Sequence, residues 1–156
     1  MNTLVIWLLA ACAFLSPGKD HTLVAESMAR VIATERPLFA NDEDRTKTAA
    51  LVTTIAFYEG SLKPSVIGDA HSGSASFCTM QIHTSSGGSA ALNEDLDACF
   101  RTGIRMLRES MAQCPEYGVA FYARGPKGCT DPHAQRISNH RLYEAKQLRS
   151  KVKVTQ

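Results

Sequence analysis

Helical periodicity runs through most of this 156-residue chain and breaks off between Pro64 and Ala91. Eleven of those 28 residues are Gly or Ser, and only Ser76 to His83 (SFCTMQIH) alternates enough for a short strand. A loop of that length in a compact domain is usually functional or disordered, and the embedded Phe77, Met80 and Ile82 argue for packing. The expected fold is therefore mainly α: a helical domain with a small Gly/Ser-rich β-lobe or long loop. With 44% hydrophobic and 21% charged residues, disorder, collagen and coiled coil are excluded and one domain is expected.

The flanking segments read as helices. Leu23, Val24, Met28, Val31 and Ile32 make an apolar stripe that ends before Pro37. A second helix starts near Asn41-Asp42-Glu43-Asp44, which suit its positive end, and passes Ala49, Val52, Ile55 and Ala56 to Gly60. The pattern resumes at Asn93 with Leu96, Phe100, Gly103, Leu107 and Met111, then in a shorter piece from Pro115 to Ala123. A last helix begins at Asp131-Pro132 and passes Ala134, Ile137 and Leu148.

Leu4 to Leu15 is an uncharged apolar run, too short for a bilayer span of about 20 residues. Its length suits a secretion signal, although Met1-Asn2-Thr3 carries no positive charge. Leu9-Ala10-Ala11-Cys12 resembles a lipoprotein lipobox, making Cys12 a lipidation candidate. Residues 1–19 are read as a signal peptide or lipoprotein leader, 20–150 as the folded domain and 151–156 as a tail. The alternative is a buried N-terminal helix. Setting Cys12 aside leaves Cys78, Cys99, Cys114 and Cys129, an even set that fits an oxidising compartment. Of three pairings, the return through Gly125-Pro126-Lys127-Gly128 favours Cys114 with Cys129, leaving Cys78 with Cys99. Zinc on Cys78 and His83 is the rival, without a C-x-x-C or H-x-x-x-H motif in its support. No metal or cofactor is expected.

Net charge is +2, but residues 1–100 carry six Lys/Arg against eleven Asp/Glu, and residues 101–156 carry eleven against four. Arg101, Arg105 and Arg108 recur at helical spacing and could track phosphates, yet such a run is usually a solvated helix face, so nucleic acid is not an expected partner. His71, His83, His133 and His140 lack a triad-like partner, and there is no G-x-S-x-G and no phosphate-binding Gly-rich loop.

Glu59 is the candidate for chemistry. It lies three residues after Ala56, four after Ile55 and seven after Val52, on the buried stripe of its own helix. Burial and the negative end of the helix dipole both favour the neutral acid, which could protonate a leaving group. A solvated or Arg-paired helix-end Glu is the plainer alternative.

Glu59-Gly60-Ser61-Leu62-Lys63-Pro64, Gly68-Asp69 and Gly73-Ser74-Ala75-Ser76-Phe77-Cys78-Thr79-Met80-Gln81-Ile82 together resemble the soluble lytic transglycosylase and goose-type lysozyme superfamily. In that family a helix ending in Glu-Ser precedes a Ser/Gly-rich stretch ending in Gly-x-x-Gln-Ile. Phe121-Tyr122-Ala123-Arg124-Gly125 stands where the family has Tyr-Asn-Ala-Gly, and Cys114, Cys129, Ser138 and Arg141 fit the spacing of secreted or phage-associated members. The resemblance covers roughly residues 21–149. Gly60, Cys78 and Ala123 depart from it, replacing the family's Ser, Gly and Asn.

The resemblance implies a lysozyme-like fold with a cleft between helices and lobe, acting on peptidoglycan glycan strands. It makes Glu59 the acid that protonates the oxygen between N-acetylmuramic acid and N-acetylglucosamine, then the base for attack by the 6-hydroxyl. Ser76 and Gln81 would bind the sugar, Met80 would pack against a ring, and Tyr122 would hydrogen-bond near Glu59. Asp69 is the candidate second carboxylate. In its Gly-Asp turn it is either structural or, facing Glu59 across about 6.5–9.5 Å, the activator of water in an inverting hydrolase. A non-catalytic cell-wall binder of the same fold is the other alternative. The expected protein is a monomer exported to the periplasm or cell envelope, lipid-anchored through Cys12 or phage-associated.

Overall fold

Each long periodic segment of the sequence is a helix in the computed structural model, which describes residues 3–71 and 73–153. The helices are α1 (Thr3–Leu15), α2 (Thr22–Thr34), α3 (Thr46–Gly60), α4 (Ala91–Glu94), α5 (Leu96–Gln113), α6 (Ala120–Arg124) and α7 (Pro132–Lys151). Strands β1 (Ile67–His71), β2 (Ser74–Phe77) and β3 (Ile82–His83) form one antiparallel sheet in the order β1-β2-β3. The chain is thus mainly helical with a small β-lobe.

The main core is an apolar cluster in which Met28 and Ile32 of α2, Leu51 and Ile55 of α3, Phe100, Ile104 and Leu107 of α5 and Leu148 of α7 are all buried, and a smaller cluster gathers Cys114, Ala120 and Ala134. Leu23 does not join its expected stripe. It sits on the solvent side of the first turn of α2, 68% exposed, and Ala25 is buried there instead.

Helix α3 starts later than Asn41–Asp44, because those residues cap it. The buried Asp42 carboxylate accepts from Lys47 N and Thr48 N, and Asp44 accepts from Thr46 N. The helix expected from Asn93 is two pieces, broken at Asp95, whose extended backbone lets its carboxylate cap α5 through Ala98 N. Between Pro115 and Ala123 only the end is helical. Tyr117 N to Cys114 O and Ala120 N to Tyr117 O make turns first, and the Cys114–Cys129 disulfide fixes them.

The run Leu4–Leu15 is α1 in the folded chain, packed against α2 and α3 with Leu4, Trp7, Leu8, Ala11 and Cys12 buried. Trp7 Nε1 donates to Val152 O at 3.0 Å, so α1 also touches the segment expected to be tail. Cys12 has no exposed surface, and burial pushes its thiol up to about 12. A lipid on Cys12, or removal of residues 1–19, therefore requires α1 to leave the core. Lys151 still belongs to α7 and Val152 is buried, which moves the start of the tail beyond them; Met1, Asn2 and 154–156 lie outside the described residues. Among the described residues no helix is long and apolar enough to cross a membrane.

Candidate active site

Where one strand was expected over Ser76–His83 there are two, separated by the turn Cys78–Gln81. Cys78 (φ 58°) and Gln81 (φ 49°) bracket that turn in the left-handed region, which reverses the chain and lays it on the end of α3. Thr79 Oγ1 donates to Ala56 O at 3.2 Å, and a Cβ on Gly60 would lie 2.5 Å from Thr79 Cα. That approach accounts for Gly60 where the resembling family has Ser.

Beside the Thr79 bond, three further attachments hold the lobe. Cys78 is bonded to Cys99 of α5, which also removes Cys78 as a zinc ligand. Asn93 Oδ1 accepts from Val66 N (3.0 Å) and Cys78 N (2.9 Å). Tyr122 donates its hydroxyl to Met80 O at 2.5 Å. The two disulfides fit an oxidising compartment.

Between lobe and helices lies a cleft of about 920 Å³. Glu59, Asp69, Ser76, Gln81 and Tyr122 all line it, so five of the six expected site residues meet there. Met80 does not. Its side chain is 0% exposed and packs on Gly103, where a Cβ would lie 2.5 Å from Met80 Cε, so it belongs to the core and not to a sugar-facing wall. Gln81 is oriented by Nε2 donating to Cys78 O at 3.0 Å, and Gly68 leaves the room its amide occupies. Tyr122 spends its hydroxyl on Met80 O, while burial first and the Glu59 charge second push its pKa well up. Ala123 also faces the cleft.

Glu59 stands one residue from the end of α3, its side chain 31% exposed. Its pKa is raised: desolvation is the largest cause, Arg141 opposes it, and Asp69 adds to it. Asp69 occupies the irregular step between Gly68 and His71 with φ 48° and is exposed, so it reaches Glu59 as a charge from across the cleft. Glu109 of α5, a carboxylate the sequence did not single out, also lines the cleft. His83 Nδ1 lies 2.7 Å from Ser85 Oγ but also accepts Ser85 N, which makes the pair a local cap of the 3₁₀ turn Thr84–Ser86.

Three cations of the basic third are engaged within the fold, while Arg101 and Arg105 of α5 are exposed. Arg108 donates to Arg36 O at 2.6 Å and faces Glu35, Arg124 pairs with Asp131 at 3.0 Å, and Arg141 turns into the cleft beside Glu59. Among the described residues no group of three or more His, Cys, Asp or Glu could hold a metal. Of two side chains that organise this site, Asn93 and Arg141, only Arg141 had a signal in the sequence. Arg141 follows Ala134 and Ser138 and precedes Ala145 and Leu148 on the buried face of α7, a cation on an apolar stripe just as Glu59 is an anion on one. Comparison with protein-family models, with curated proteins and with solved structures finds no match to this chain.

Proposed function

We propose that this protein is an exported peptidoglycan-cleaving enzyme with a lysozyme-like fold, acting on the β-1,4 bond between N-acetylmuramic acid and N-acetylglucosamine. The observation that carries this reading is one carboxylic acid with a raised pKa, placed on the wall of a sugar-sized cleft with Ser76, Gln81 and Tyr122 around it. Protonated Glu59 gives its proton to the bridging oxygen as the glycosidic bond breaks. The resulting carboxylate takes the proton of the muramic acid 6-hydroxyl as that oxygen bonds to C1, yielding a 1,6-anhydro sugar and regenerating the acid without consuming water.

Asp69 favours a second reading, because its charge reaches Glu59. In that case it activates water and the enzyme is a hydrolase. Mass spectrometry of digested peptidoglycan separates the two: transglycosylase products are lighter by one water than hydrolytic ones, and products with reducing ends alone would rule out the first reading. Glu59→Gln should lower turnover by about 10³-fold or more while glycan binding persists. Clearing of cell walls by neither protein would favour a non-catalytic wall binder. Since the acid form of Glu59 is the active one and its pKa is raised, activity should be full at acidic pH and fall as pH climbs through that elevated value.

A further inference from the structure

Arg141 is held in an unusual way. Its guanidinium lies 3.7 Å over the ring of Tyr58, its buried Nε has no hydrogen-bond partner among the described residues, and its Nη2 stops 3.9 Å from Glu59 Oε1. A buried guanidinium ordinarily satisfies its N–H groups with acceptors, often in a bidentate carboxylate pair. Here an aromatic face supplies the support, and that face is itself fixed: Tyr58 Oη lies 3.2 Å from His140 Nε2, and the Phe57 ring meets it edge-on at 5.2 Å. Stacking orients the cation without neutralising it.

We propose that Arg141 is a positioning residue for the proton cycle of Glu59, bearing the negative charge of the carboxylate between loss of its proton and recovery of the next. This rests on Glu59 acting as acid and then base. Geometry sets the balance. A close bidentate pair would hold Glu59 ionised and end its use as an acid, whereas no cation at all would leave a desolvated carboxylate unsupported once the proton has gone. A single contact at 3.9 Å, fixed by a ring and not by Glu59, lies between those limits. The other titratable groups facing Glu59 around the cleft do not replace it. Asp69 from β1 and Glu109 from α5 are anions, His83 and Tyr122 are committed to Ser85 and Met80 O, and Arg124 from α6 is paired with Asp131.

The test is a carboxyl NMR titration of Glu59, its resonance assigned by loss in Glu59→Gln, in wild type, Arg141→Gln and Arg141→Lys, alongside the pH dependence of glycan cleavage. Removing the cation should raise the Glu59 midpoint by about one pH unit or more. The alkaline limb of activity should move with it, and kcat on the acidic plateau should fall about tenfold with KM little changed. Arg141→Lys, which keeps the charge without the planar stack, should raise the midpoint less than Arg141→Gln does. An unchanged midpoint in Arg141→Gln overturns the inference whether or not the protein cleaves glycan, whereas cleavage that survives Glu59→Gln overturns the functional reading beneath it. If Gln at 141 prevents folding, Tyr58→Leu removes the platform and reads the same midpoint. A value equal to wild type there also overturns the inference.

Discussion

The helical body and the β-lobe are stabilised by different means. In the body, Phe100, Leu107, Ile55 and Met28 interlock as one buried cluster, and no single contact is decisive. The lobe between Ile67 and His83 is mostly exposed along β1, and three of its non-glycine residues, Asp69, Cys78 and Gln81, adopt left-handed backbone. Such residues cost of order 1–3 kcal/mol each and persist only where the surroundings over-determine them. Here the surroundings are one disulfide, one asparagine, one tyrosine and one threonine hydroxyl, and the burial of Met80 and Ile82 in the core. Area alone holds the scaffold, whereas in the lobe point attachments supplement the burial of Met80 and Ile82.

The contrast can be broken from either side. Phe100→Ala, which opens a cavity at a wholly buried position, should cost about 3–5 kcal/mol and lower the melting temperature of the whole molecule, seen as one cooperative calorimetric transition. Replacing both Cys78 and Cys99 by Ser opens a loop with a sequence separation of 21 and should cost about 3 kcal/mol. Hydrogen exchange should then show lost protection in 74–83 while α2 and α5 stay protected; simultaneous loss in both would end the distinction between area and attachment. Asn93→Ala leaves Val66 N without its acceptor, while Cys78 N keeps its bond to Val66 O, and should cost about 1–3 kcal/mol. Glycan cleavage should suffer more than the melting temperature does, because Cys78 begins the turn that carries Gln81.

Legibility in the sequence followed the same division. Apolar spacing located α2, α3, α5 and α7, since burial against a core imposes the helical period on the residues themselves. Strand β1 (IGDAH) was not visible, because its residues are mostly solvent-facing and it exists through pairing with β2. The Cys78–Gln81 reversal was missed for a related reason: it rests on backbone angles at residues that are not glycine. Glu59 was legible as a charge on an apolar stripe. Met80 was misassigned because a methionine beside a candidate sugar-binding glutamine carries no mark of which way it points, and Gly103, the small residue that receives it, is 23 positions away in sequence. Asn93 had no signal at all, being one polar residue near a helix start.

Trp7 is the chain's single tryptophan, and it belongs to α1. Tryptophan emission is therefore a label for that one helix and for nothing else in the molecule. A protein that keeps α1 docked should show the blue-shifted signal of an indole hydrogen-bonded to Val152 O in an apolar setting. An undocked α1 should emit to the red, and a protein processed after residue 19 should be optically silent in this channel. The same spectrum read on the purified full-length chain and on purified processed material would follow the helix without any added probe.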